Sequence, residues 1–367
     1  MKAAAAPVGD PIAAAAGQED GPAALVALLD EQSSVYEGLG SGEAERVRAR
    51  IFLALADATL PPAALPFILE ELETGSDRVA TAAAAIALRG ASGPVPETEA
   101  LLLKAMDRLA LADAPFAPRP GRTALQEVVA TLAGLPSAGE ASRQALGRLL
   151  ASKLPAPGAR AEAERALAAL DGRADPSPVS CCAGSNAAEP VRPLTDAGPT
   201  PLQDQSGARL TFADFFGAGP AVLAFFYTRC MNPERCSLTV TKLARLQAML
   251  AGRGLAERVR VAAISYDPDY DLPQRLADYG ARRGFRFDAR NRFFRTDGPV
   301  EPLRSLFDLG VGYGPSTVNR HRLELFVLDA QGALAASFTR RLWAEEEVVE
   351  AVAALTGPQE ASPASSS

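Results

Sequence analysis

Histidine is nearly missing from this chain: among 367 residues there is one, His321. Any metal site that uses imidazole must therefore use that residue. Cysteine is scarce too. Four in such a length cannot build a disulfide scaffold, yet they fall as two close pairs, Cys181 with Cys182 and Cys230 with Cys236, which points to redox or metal chemistry. No run approaches the roughly 18 apolar residues that a membrane-spanning helix needs. The opening "MKAAAAPVGDPIAAAAGQED" has two alanine runs, but proline, glycine and aspartate interrupt them before they become the apolar stretch of a signal peptide. On these grounds a soluble, cytoplasmic protein is expected. Basic residues are outnumbered, 37 Lys and Arg against 44 Asp and Glu, for a net charge of -7. That balance excludes a phosphate backbone, and so nucleic acid, as the expected partner.

What is present suffices for folded cores. With 48% hydrophobic and 22% charged residues the composition is that of a globular protein, and the length predicts two folded units. Residues 21–171 read as amphipathic helices rich in Ala and Leu, with Val47, Ile51 and Leu55 at helical spacing. Charged, Ala-rich segments begin at residues 42, 76, 121 and 158, a separation of roughly 34 to 45 residues that suits helical-hairpin repeats. The stretch "ALPFILEELETGSDRVATAAAAIALRGA" resembles a HEAT repeat, and the predicted fold of this half is an α-solenoid of HEAT-like hairpins. Residues 172–200, dense in Pro, Gly, Ser and Ala and holding Cys181 and Cys182, read as a linker.

From 201 to 356 strand and helix patterns alternate. Strands are predicted around Arg209–Thr211 and over 221–228, 259–267, 323–330 and 332–340. Helices are predicted after Cys236, over "LPQRLADYGARRG" and from Trp343 to Leu355. Strand, helix, strand, helix, hairpin, helix is an α/β order that fits a thioredoxin-like layout. Residues 357–367 read as a disordered tail.

In such a sheet reactive groups collect beyond the carboxyl ends of strands, and Cys230 sits at one. A helix starting near Cys236 would lower the pKa of a nearby thiol through its dipole and unpaired N–H groups. The alternative is that the pair forms a structural disulfide or is just two buried small residues, and the reactive position favours function. The surrounding text is more specific. "LQDQSGARLTFADFFGAGPAVLAFFYTRC" is similar to the opening of the Sco/SenC family, copper chaperones with a thioredoxin fold, through its "L-x-D-Q-x-G", "D-F-x-G" and "F-Y-T-x-C" elements. "SYDPDYDLPQRLADYG" supplies the family's "S-x-D-P", and "HRLELFVLDAQG" places His321 at the start of a strand ending in "L-D-x-x-G". The resemblance covers about residues 195 to 356. It implies copper, as Cu(I) or Cu(II), held by Cys230, Cys236 and His321, with delivery to a respiratory oxidase and reversible oxidation of the same thiols. It also implies work at the outer face of a membrane, against the cytoplasmic expectation above. Asp271 is either an acid supporting these ligands, as in the family, or a helix cap. Met231, a soft side chain beside the strand end, is read as packing.

One departure stands out: the family's C-x-x-x-C is widened here to "CMNPERC", five residues between the thiols. Thiols so separated can still converge if the intervening loop bulges outward. The C-x-x-C and proline of thioredoxin oxidoreductases are absent, and "FYTRC" sets its threonine two residues before Cys230, where peroxiredoxins need three. Cys181 and Cys182 on the linker are candidate accessory thiols that relay metal or resolve a disulfide. Three functions thus stay open. The first is a copper chaperone that exchanges metal with a donor or recipient protein and is not a turnover enzyme. The second is a thiol–disulfide oxidoreductase cycling Cys230 and Cys236. The third is an interaction protein whose solenoid docks an unknown partner beside a degenerate redoxin module.

Overall fold

The computed structural model describes residues 10–153, 155–173 and 197–357. Cys181 and Cys182 lie outside the described residues. Two compact units are formed, one of the residues up to 173 with 312–321, the other of 197–311 with 322–357.

The first unit is helical: α1 Pro11–Ala16, α2 Gly21–Ala27, α3 Ser41–Ala56, α4 Leu65–Thr74, α5 Arg78–Leu88, α6 Thr98–Leu111, α7 Ala124–Gly134, α8 Glu140–Ala151 and α9 Pro157–Asp171. From α3 onward the packing alternates. Helices α3, α5, α7 and α9 stack in sequence as one layer, and α4, α6 and α8 as the other. The run Ala82–Ala85 in α5 is fully buried because side chains of one carbon let neighbouring helices approach closely. Asp77 caps α5 by accepting from the Ala80 N–H at 2.8 Å, and Thr123 with Gln126 forms a capping box on α7. Charges inside this unit are paired. Arg48, wholly buried, lies 3.2 Å from Glu71 and donates to the Leu29 carbonyl at 3.1 Å. Glu127 gathers Arg89 at 2.8 Å, Arg119 at 3.4 Å and Arg122.

The second unit is built on a seven-stranded sheet. Its strands are β1 Pro201–Asp204, β2 Arg209–Thr211, β3 Ala221–Phe226, β4 Arg260–Ser265, β5 Asn291–Thr296, β8 Glu324–Leu328 and β9 Leu334–Thr339, in the order β2-β1-β5-β4-β3-β8-β9. Strands β3, β4 and β5 are parallel; β1 runs antiparallel to β5, β8 to β3 and β9 to β8. Helices α10 Phe212–Phe216, α11 Leu238–Gly252, α12 Pro273–Ala281, α13 Glu301–Leu306 and α14 Glu345–Ala353 complete it. The path β3-α11-β4, with the hairpin β8–β9 added antiparallel beside β3 and α14 closing the chain, is the thioredoxin-like α/β arrangement predicted. Every residue of β3 is buried, as its unbroken apolar run required.

Strand β1 and helices α10 and α13 were not predicted, and two further features depart from the sequence reading. Strand β5, "NRFFRT", was not predicted, because its polar residues hide the pattern. Those charges are satisfied by the neighbouring strand: Arg292 lies 3.0 Å from Asp204, and Arg295 donates to Gln203 at 3.1 Å. The second departure is a two-stranded hairpin, β6 Val311–Tyr313 and β7 Val318–His321. Its Asn319 amide donates to the carbonyls of Tyr36 and Leu39 at 3.1 and 3.0 Å, so residues 312–321 count with the first unit. His321 therefore ends β7 and does not begin the following strand, which starts at Glu324.

Candidate metal centre

The apolar strand β3 delivers the chain to Tyr227, and from there polar contacts set the loop that holds Cys230. Asp271 is fully buried and accepts from the Thr228 N–H at 3.0 Å and from the hydroxyls of Thr228 and Ser265. It thereby ties the start of the loop to the end of β4. Asp271 is not a helix cap: that place on α12 belongs to Leu272, which offers no side-chain acceptor. Burial pushes the Asp271 carboxyl up, against the hydrogen bonds from Ser265 and Thr228. Arg229 pairs with Asp267 at 2.5 Å and lies 4.1 Å from the Tyr270 ring.

The five residues between the thiols resolve the question of spacing. Asn232 accepts from the Glu234 N–H at 2.9 Å and opens a wide turn, Pro233–Ser237, in which Arg235 leaves helical geometry at φ −113°, ψ −109°. The turn absorbs the extra length and feeds into α11. Cys236 ends up buried, Cys230 half-buried, and neither is in a disulfide. His321 is 5% exposed, not a surface histidine. The donor atoms of Cys230, Cys236 and His321 all lie within 4.8 Å of one another. Donors around one thiolate-bound metal stand about 4 Å apart, given metal–sulfur bonds near ~2.3 Å, so the three need to close only slightly. Two sulfurs and an imidazole form a soft set, fitted to Cu(I) or Zn(II) and poorly fitted to magnesium or calcium.

The Cys236 thiol is 1% exposed. Burial pushes its pKa well above the ordinary range, the hydrogen bond and charge of Cys230 add to this, and the Tyr227 backbone and Arg235 oppose it without prevailing. The Tyr227 phenol, hydrogen-bonded to Cys230, is likewise pushed up by burial and by both thiols. A second buried network ties down the residue after His321. Glu324 accepts from Arg322 Nε at 2.6 Å, from the Gly310 N–H at 2.7 Å and from the Tyr266 hydroxyl. Tyr227, Tyr266 and Glu324 were not singled out from the sequence, although Tyr227 belongs to the "F-Y-T-x-C" element; hydropathy cannot show which polar groups are buried together. Met231 does not pack as read: it is 92% exposed. No helix among the described residues is long and apolar enough to cross a membrane.

The second unit is thus thioredoxin-like, and Cys230, Cys236 and His321 form a cluster of soft donors. Residues 195–357 match the family model SCO1/SenC. Among solved structures, a SCO1/SenC family lipoprotein from Bacillus anthracis is similar at 20% identity, covering 43% of this chain and 92% of its own, with a TM-score of 0.38. ScoI from Bradyrhizobium japonicum, solved with copper bound, is similar at 22% identity, covering 43% and 98%, with a TM-score of 0.34. The bacterioferritin comigratory protein of Xanthomonas campestris, studied for alkyl peroxide reduction, reaches 19% identity, 44% and 94% coverage and a TM-score of 0.33. No curated protein matches the chain.

Proposed function

We propose that the C-terminal domain binds copper through Cys230, Cys236 and His321 and exchanges it with a protein partner, as a Sco-like metallochaperone serving oxidase assembly. The observation that supports this is the convergence of the chain's single histidine on two thiols, with all three donors within 4.8 Å. The SCO1/SenC match over 195–357 supports the same reading. In this proposal copper is cargo. Cys236 and His321 form the inner wall of the site, and the half-buried Cys230 is the donor that meets an exchanging partner. The two-layered helical unit serves as a HEAT-like solenoid that docks a further protein, and Cys181 and Cys182 are accessory thiols.

Anaerobic Cu(I) titration against a competing chelator tests the ligand set. The wild type is expected to take one Cu(I) per chain, and His321→Ala to weaken binding by about 100-fold or more. Equal affinity in that variant, or no binding by the wild type, would overturn the proposal. A second reading, thiol–disulfide exchange by Cys230 and Cys236, is favoured by their hydrogen bond as unbridged thiols. It predicts that His321→Ala keeps full exchange activity while Cys230→Ser loses it.

A further inference from the structure

A cleft of about 620 Å³ opens wholly within the second unit, lined in part by residues adjoining Cys230 and Cys236 in sequence. One wall is formed by Thr228 and Arg229, which lead into Cys230, and by Ser237, which follows Cys236. The rest of the lining comes from Tyr270, α12 and the residues after it: Arg275, Asp278, Tyr279, Arg282 and Arg283. In a chain of net charge -7 this cleft holds four guanidinium groups against one carboxylate. Arg229 is neutralised by Asp267. The other three make no ion pair with a carboxylate among the described residues; Arg275 donates to the Tyr270 carbonyl, and Arg283 to Ser237 Oγ at 3.0 Å and the Tyr279 carbonyl at 3.1 Å.

The cations are held in place before any ligand arrives. Arg229 and Arg275 both stand 4.1 Å from the centre of the Tyr270 ring, and Arg283 stands 3.4 Å from that of Tyr279. Planar stacking fixes the orientation of a guanidinium and leaves its edge to meet a carboxylate in two parallel hydrogen bonds. The Tyr279 hydroxyl is buried with no hydrogen-bond partner among the described residues, an unspent polar group in the same lining. The single carboxylate of the lining, Asp278, is exposed and accepts from Gln274 at 2.9 Å.

The geometry points to a binding site for a small peptide thiol that carries two carboxylates and one ammonium group. Carboxylates pair with the unneutralised arginines, the ammonium with Asp278, and the sulfur is set toward Cys230, the one half-open donor of the metal centre. The use of that sulfur, to bring or remove a soft metal ion, rests on the copper reading; occupancy of the cleft does not.

Calorimetry of the metal-free full-length protein with S-methylglutathione tests the site, because this probe has the two carboxylates and the ammonium but no thiol to bind metal or exchange. One saturable site is expected. Arg275→Gln combined with Arg282→Gln, two exposed residues, is expected to weaken it at least about tenfold, and succinate, which lacks the ammonium, to bind at least about tenfold more weakly than the peptide. The site is refuted by absence of saturable binding, by an unchanged double variant that retains its circular dichroism, or by succinate binding as tightly as the peptide. Tighter binding of hexaglutamate than of S-methylglutathione would instead make the cleft a docking face for an acidic protein and also refute it. With neither metal nor free thiol present, the result is independent of the Cu(I) titration above.

Discussion

At the scale of single residues, burial decides the Cys236 thiol: it raises the pKa by more than the Tyr227 backbone and Arg235 lower it. A raised thiol is protonated at neutral pH, so a bound metal must displace the proton. Apparent Cu(I) affinity is therefore expected to climb with pH by about tenfold per unit for that proton and to level off only above the raised pKa. Chelator competition across a neutral pH series measures this slope; a flat profile would mean that Cys236 does not bind as thiolate. The identities of the three donors were legible because each falls in a short motif with few competitors, above all the lone histidine. Their protonation was not legible, since it depends on what covers them.

At the scale of elements, the loop after β3 depends on a residue from another segment. Removing Asp271 leaves the Thr228 N–H and two hydroxyls without their acceptor, so Asp271→Ala is expected to destabilise the protein by about 1–3 kcal/mol, with Asn recovering part of the loss. Chemical denaturation followed by circular dichroism reads the difference. In the helical unit the corresponding group is Glu127. Burial would raise its carboxyl, but Arg89 and Arg122 hold it below the usual range. The folded state therefore binds this proton less readily than the unfolded chain does. The resulting stability is present above the unfolded carboxylate pKa of about 4.3 and is lost as pH falls through the depressed folded value. Glu127→Gln should flatten that acid limb in a pH series of denaturation midpoints. The buried strands β3 and β8 were readable from apolar runs. Strand β5 was not, because its arginines find partners across the sheet that hydropathy along one strand does not contain. The Pro233–Ser237 turn was equally hidden: a five-residue gap states a length, while the φ and ψ of Arg235 decide where the second sulfur lands.

At the scale of the whole molecule, a helical half followed by an α/β half was readable from the change of period along the chain. That residues 312–321 count with the helical unit was not, because a discontinuous unit leaves no mark on local composition. Metal linkage acts on the entire chain. A ligand held only by the native state adds RT ln(1 + [L]/Kd), about 4 kcal/mol when free ligand is a thousandfold over Kd. Cu(I) loading is accordingly expected to raise the melting temperature in scanning calorimetry, and His321→Ala to remove most of the increase; an unshifted wild-type transition would count against native-state binding. The uneven cover over the three donors has a further bearing on traffic. Cys236 and His321 are buried while Cys230 is half-buried, so on the proposed copper reading Cys230 is the donor that an incoming sulfur would meet first, with the covered pair holding the ion behind it.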